Sequence, residues 1–437
     1  MASDLTKAVR KLDNLERAWR VIQQNGRTSK SEQVRLELER FAEDAPHNLR
    51  SLKGRLASGS FKFEKAKGVP IPKLNAQGKP TGKFRPIVLA PVESRIVQRA
   101  VLNVLVEIEA LKPFVQTPYS FGGIRSQRKR SEQSRAERVS AVPAAIKAVL
   151  DEIGYGARYV ASADIRAFFT RISKDRVASV IENAVADPEF IAFVRQAMNV
   201  ELGNLALLRE KAQDFPTEDI GVAQGNSLSP LLGNIALADF DHVMNEGDCR
   251  CIRYIDDFII FAPSARAANA RLRKATKLLQ GLGMELSPEK SSTGAQSVDN
   301  GFDFLGITIC PGIVRPSAKA QARFIASVKG LVTDSQKAMA AAKNGKAVDH
   351  DKALIGTLKR LDGMIDGWGK HYWFCNDRQV FANLDQQVSE QIGAFLGCYR
   401  SIRDAIPSAN RTSLLGLAEL ATIKRDPYSY PRARSAG

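Results

Sequence analysis

Three aspartates stand where apolar, β-prone runs end. Asp256 and Asp257 lie between Cys251-Ile-Arg-Tyr254 and Phe258-Ile-Ile-Phe261, and Asp164 closes Arg158-Tyr-Val-Ala-Ser-Ala163. An ionised carboxylate stripped of water is costly unless it is paired or bound to a metal. Two acids held side by side also repel each other, and a divalent cation relieves that repulsion. The flanking runs predict a β-hairpin with Asp256 and Asp257 at or near its turn. Alone, the pair fits an ordinary Asp-rich surface turn equally well. Asp164 adds to it: if its strand neighbours the hairpin in one sheet, the carboxylates converge on a shared patch. Such a patch can bridge two divalent ions roughly 3.5–4 Å apart, which activate a hydroxyl and stabilise a leaving pyrophosphate. Magnesium suits hard oxygen ligands best, with Mn²⁺ as the alternative.

The elements that must position these acids are mixed. Residues 4–56 show helical periodicity, with Leu12, Leu15, Trp19 and Val21-Ile22 as a stripe and a break at Asn25-Gly26. Gly68–Lys73 and Phe84–Leu89 read as a hairpin around the turn Asn75–Gly82. Residues 92–112 return to helical spacing, a helix is expected from Lys174, and residues 265–284 form another. Gly301–Ile309 reads as one strand, and from about Ser317 the chain is helical to near its end. Between the acids lies Gly221-Val-Ala-Gln224-Gly225-Asn-Ser227-Leu-Ser229-Pro230. Gly225 permits close backbone approach, Pro230 fits the first turn of a helix, and Ser227 or Ser229 is expected to cap it. Strands and helices alternate without a βαβ repeat, which predicts an α+β fold.

Composition narrows the partners. The 437 residues suffice for two or three packed units, and 44% apolar content excludes a mostly disordered chain. No apolar run reaches membrane-spanning length and the N-terminus lacks an apolar signal core, so a cytoplasmic protein without a membrane partner is expected. Five cysteines without a CxxC pair argue against a disulfide framework or a zinc knuckle. A formal charge of +17 suits a polyanion, nucleic acid above all. Much of that charge is local: Arg125, Arg128, Lys129 and Arg130, followed by Arg135 and Arg138, form a candidate nucleic-acid-binding stretch.

These motifs together resemble the reverse transcriptases, in particular bacterial enzymes of the group II intron-like lineage. Tyr254-Ile-Asp-Asp257 resembles the YxDD box, Asp164-Ile-Arg-Ala-Phe-Phe169 the first metal-binding box, and Gln224-Gly225-Asn-Ser-Leu-Ser-Pro230 the Q-G-x-x-L-S-P box. Gly281–Lys290 resembles the box with a lysine near the phosphates, and Phe302-Asp-Phe304-Leu305-Gly306 the primer grip. Ile71-Pro-Lys73, Lys83-Phe-Arg85-Pro86 and Tyr119-Ser-Phe-Gly122 resemble fingers motifs.

The resemblance implies a right-hand polymerase: an N-terminal helical segment (1–60), fingers (61–155, with part of the palm at about 86–117), a ferredoxin-like palm (156–311) and an α-helical thumb with a tail (312–437). Asp164, Asp256 and Asp257 become metal ligands, supported by the Ile165 carbonyl. Lys73, Lys83 and Arg85 become triphosphate ligands, Arg through its forked donors. Phe169 becomes the steric gate that selects dNTPs, with core packing as its plain alternative. Gln224 and Gly225 would meet template or nucleotide, Lys290 would protonate the leaving pyrophosphate, and Phe304, Leu305 and Gly306 would contact nucleic acid.

The implied partners are an RNA template, a dedicated non-coding RNA being one candidate, a DNA primer and dNTPs. Oligomeric state is not readable. No HNH or RNase H pattern follows the polymerase boxes, and the retron NAxxH and VTG boxes are absent. That points to the stand-alone, defence-associated enzymes. The alternatives are an intron-derived enzyme lacking its endonuclease, and an RNA-binding maturase with a vestigial site, against which the three intact acids argue. Tyr428 and Tyr430 carry phenols able in principle to prime synthesis, although exposed tyrosines more often pack or bind. Asp366–Phe374 is expected to be aromatic thumb core.

Overall fold

Four helices open the chain: α1 (Asp4–Val9), α2 (Leu12–Gly26), α3 (Glu32–Glu43) and α4 (Ala45–Ser58). Leu15, Ala18, Trp19 and Ile22, spaced along one face of α2, are buried as α2 packs on α5 (Val92–Leu105). A buried amide pair fixes that packing, Asn103 Nδ2 donating to Asn14 Oδ1 at 2.8 Å and Asn14 Nδ2 to the Ala100 carbonyl at 3.0 Å. The computed structural model describes residues 4–29, 31–74, 80–122, 140–344, 348–408, 411–417, 420 and 423–428, and it divides into two units at Leu305/Gly306.

In the first unit, β1 (Lys67–Leu74) and β2 (Pro80–Leu89) form the expected antiparallel hairpin, with Gly68 opposite Val88 and Pro72 opposite Phe84. The short α6 (Lys112–Val115) and then α7 (Ala141–Gly154) precede β3 (Tyr159–Asp164). Five helices follow: α8 (Lys174–Ala184), α9 (Pro188–Met198), α10 (Leu205–Leu208), α11 (Ser229–Ala236) and α12 (Ala238–Met244). The chain continues with β4 (Arg250–Tyr254), β5 (Asp257–Ala262), α13 (Ala265–Gly281), β6 (Gln296–Ser297) and β7 (Phe302–Phe304). The central sheet has the order β4-β5-β3-β6 with every pairing antiparallel. Phe258 to Ala262 are all buried, which is why β5 reads as an unbroken apolar run: it is an inner strand, and α13 packs against it and β3.

Several helix starts follow short polar side chains that satisfy otherwise unpaired N–H groups. Ser173 caps α8, Asp187 caps α9 ahead of Pro188, and Ser264 caps α13. The expected serine cap of α11 is not formed. Pro230 does sit in its first turn, but the Ser229 hydroxyl donates to the Ala223 carbonyl at 2.7 Å, and Asn226 Oδ1 accepts from the Leu228 amide at 3.0 Å. Ser229 is not free for capping, because the preceding turn uses its hydroxyl to close on itself. The single strand expected over 301–309 is also broken, since Leu305 takes a left-handed φ of 52° and Gly306 one of 79°.

In the second unit, β8 (Ile307–Cys310) and β9 (Ile313–Pro316) form a hairpin. Ser317 caps α14 (Ala318–Ala341), α15 (Leu354–His371) follows, and Asp377 caps α16 (Arg378–Ala405). Their shared core includes Val328, Leu331, Met339, Leu361, Leu384 and Phe395. Trp368 stacks on Phe324 at 4.6 Å and belongs to that core, whereas Trp373 is exposed. Tyr428 is fully exposed, and Tyr430 lies outside the described residues. All five cysteines are free thiols, with Cys249 and Cys251 buried. Among the described residues no helix is long and apolar enough to cross a membrane.

Candidate active site

Antiparallel pairing of β3 with β5 puts Asp164 directly opposite Asp257, and the β4–β5 turn carries Asp256 beside them. Carboxylate oxygens of all three residues lie within 4.8 Å of one another. Asp164 is buried, while Asp256 and Asp257 are half-buried. Burial, a hydrogen bond with Asp164 and the charges of Asp256 and Asp164 push the Asp257 carboxyl up to about 7. Asp256 is raised too, first by burial and then by Asp164, with Lys290 and Arg85 pulling it back down. Three converging hard oxygen donors, with Asp256 and Asp257 held above the usual carboxylate range, are the donor set a divalent cation stabilises, so the residues present fit such an ion.

The turn that aims Asp256 is strained. Tyr254 and Asp257 pair, leaving Ile255 and Asp256 as the loop, and Ile255 has φ 62°. That region costs a β-branched residue on the order of 1–3 kcal/mol. It persists because both sides are held. Ile255 lies against Gly122, where a Cβ would stand 2.5 Å from Ile255 Cγ1, so only glycine fits. The segment before Gly122 is bonded to β4, Arg253 N to the Tyr119 carbonyl at 2.8 Å and Phe121 N to the Arg253 carbonyl at 2.9 Å. The Ile165 amide donates to the Asp256 carbonyl at 2.9 Å, so Ile165 braces the site through its N–H.

Around the acids lies a cationic rim. Lys290 Nζ is 2.6 Å from Asp164 Oδ2. Burial lowers the Lys290 pKa, but the hydrogen bond to Asp164 and the charges of the three aspartates outweigh it and raise it overall. Residues 287–291 wrap the same strand end: Ser287 N donates to the Asp164 carbonyl at 2.7 Å, and Asp164 N to Ser291 Oγ at 3.3 Å. Lys73, on β1, is depressed by burial and by the neighbouring Lys290, Arg85 and Lys83 charges. The hairpin thus brings Lys73, Lys83 and Arg85 toward the aspartates, and Lys83 pairs with Glu289 at 2.5 Å. Gln224 and Gly225 dock on β2, the Gln224 carbonyl accepting from Val88 N at 2.9 Å. A Cβ on Gly225 would sit 2.8 Å from the Val88 carbonyl oxygen, and its φ is 116°. Close approach explains the glycine.

The reverse transcriptase (RNA-dependent DNA polymerase) family model matches residues 71–309, from the β1–β2 hairpin through β8. The chain belongs to the reverse transcriptase family. This reverse transcriptase is 25% identical to Protein YkfC of Escherichia coli (strain K12), over 59% of this chain and 70% of that protein. It is also similar to a chain of the partial Cas6-RT-Cas1–Cas2 complex, at 19% identity and TM-score 0.34, covering 64% of this chain and 42% of that one. The apo telomerase of Candida tropicalis matches at 13% identity and TM-score 0.39, over 81% of this chain and 63% of its own. The reverse transcriptase therefore spans less than two thirds of either solved chain.

Other expected site residues fall differently. Phe168 is buried against Gly233, and Phe169 is half-buried, 5.1 Å from the Phe168 ring. Phe304 is buried, so its side chain is not a contact surface for nucleic acid; Gly306 is exposed. Arg125, Arg128, Lys129 and Arg130 lie outside the described residues. Sequence reasoning missed Arg253, which is fully buried and paired with Asp241. The signal was a charge inside the apolar run Cys251-Ile-Arg-Tyr. A buried charge without its partner is penalised by about 3–5 kcal/mol, far more than an exposed ion pair contributes.

Proposed function

We propose that this reverse transcriptase extends a DNA primer along an RNA template by a two-metal mechanism. The observation that supports it is the convergence of Asp164, Asp256 and Asp257 beneath a rim of Lys73, Lys83, Arg85 and Lys290. Two Mg²⁺ ions held by those acids would activate the primer 3′-hydroxyl and neutralise charge developing on the pyrophosphate. Lys83 and Arg85 would bind the triphosphate, and Lys290 would give a proton to the departing pyrophosphate. Phe169 closes the sugar pocket against a 2′-hydroxyl. In this reading β1–β2 is the fingers hairpin, the four-stranded sheet is the palm, and α14–α16 are the thumb. The direct test mixes purified protein with Mg²⁺, dNTPs and a DNA primer on an RNA template. Extension is expected, and its absence would overturn the reading.

The cellular role we propose is antiphage defence in the cytoplasm, copying a dedicated non-coding RNA; the motif resemblance supports it. Sequencing RNA that co-purifies with the protein tests this. A non-coding RNA encoded beside the gene, together with fewer plaques on cells carrying it, is the expected result. Recovery of a spliced or unspliced intron would replace defence with intron mobility.

A further inference from the structure

Arg253 points into the protein from the strand that leads to the catalytic turn, and four of its contacts are specific. Nε donates to Asp241 Oδ1 at 2.8 Å and Nη2 to Asp241 Oδ2 at 2.5 Å, a bidentate pair between β4 and α12. Nη2 also reaches Asn234 Oδ1 on α11 at 3.2 Å. Nη1 donates to the Ile255 carbonyl at 2.9 Å, two residues along its own chain. Asn234 is fixed in turn, accepting from the Ser120 hydroxyl at 3.1 Å and donating to the Phe114 carbonyl at 2.9 Å.

The Ile255 carbonyl belongs to the peptide plane that ends in the Asp256 nitrogen. A hydrogen bond to it sets the rotation of that plane, and the Ile165 amide holds the carbonyl on the far side of Asp256. Both peptide groups flanking Asp256 are therefore pinned. We infer that Arg253 is a positioning residue: its guanidinium holds the Tyr254–Asp257 turn in the left-handed form of Ile255, and so sets where the Asp256 and Asp257 carboxylates meet Asp164. Asp241 and Asn234 act by orienting Arg253. The planar fork is required, because one ammonium cannot span a carboxylate and also reach the Ile255 carbonyl. A misplacement of about 1 Å at a reacting group lowers rate by about a hundredfold, so the turn is a sensitive place to act.

This inference rests on the polymerase reading above, and the test separates the two. Arg253→Lys and Asp241→Asn disturb the network, and Gly122→Ala pushes Ile255 from the opposite side without touching Arg253. Thermal unfolding identifies which variants fold. In each that does, we expect kcat for primer extension to fall at least tenfold while KM for dNTP and primer–template affinity stay within about twofold. Mn²⁺ titration followed by electron spin resonance, without nucleotide, should show metal binding weakened severalfold in the same variants. Folded variants with wild-type kcat and wild-type Mn²⁺ binding would overturn the inference while the polymerase reading stood. If the wild-type protein fails to extend primers, the polymerase reading falls, and the Mn²⁺ titration still decides whether the turn sets metal affinity.

Discussion

Lys290 Nζ and Asp164 Oδ2 stand 2.6 Å apart, an exposed ammonium reaching a buried carboxylate across 126 residues of sequence. The pair places the lysine of the 281–290 segment beside the cluster of three aspartates. Lys290→Met should therefore lower kcat by roughly 10²-fold, the usual scale for loss of a positioned proton donor, with little change in primer–template affinity. Single-turnover extension measures it. A wild-type rate would leave Lys290 as a solvated surface residue.

Crowding of the three acids makes the metal-free protein sensitive to pH. The Asp257 carboxyl is raised to about 7 by burial, then by Asp164 and Asp256. A carboxyl whose folded pKa exceeds its unfolded one contributes stability at low pH, and that contribution is lost as pH rises through the folded value. The Tm of the metal-free protein should fall between about pH 4 and pH 8. Asp257→Asn should flatten this slope, and saturating Mg²⁺ should raise Tm most at the alkaline end. Calorimetric scans at several pH values check both.

Phe169 sits half-buried beside Phe168, five residues after Asp164. Phe169→Val should admit rNTPs, raising the ratio of rNTP to dNTP incorporation by 10-fold or more, an increment on the scale of 1.4 kcal/mol per decade. Competitive incorporation assays measure that ratio. Unchanged sugar discrimination would assign Phe169 to packing.

Gly225 has no room for a side chain, because a Cβ would meet the Val88 carbonyl at 2.8 Å and φ is 116°. Gly225→Ala should cost about 1–3 kcal/mol of stability and shift the Gln224 turn off β2. Denaturant unfolding gives the first effect, and a rise in KM for dNTP the second.

Much of the site was legible because its signals are local. Asp164 closes an apolar strand, Asp256 and Asp257 interrupt another, and Pro230 opens a helix; strand period and helix chemistry report each directly. The Arg253–Asp241 pair was not legible, since it joins a strand to a helix whose packing no local period describes. Leu305 hid a turn because leucine seldom adopts positive φ, so 301–309 reads as one strand. Ser229 illustrates a third limit. A serine before a helix predicts a cap, yet here the hydroxyl serves the turn behind it.

Asp164, Asp256 and Asp257 are the proposed catalytic metal site. The most direct test of this assignment is primer extension on an RNA template with Mg²⁺ and dNTPs, comparing wild type with the Asp256→Ala/Asp257→Ala double variant. Extension by the wild type is expected, with none above background by the variant and primer–template binding by the variant within a few-fold of wild type. A double variant that extends primers at the wild-type rate would contradict it.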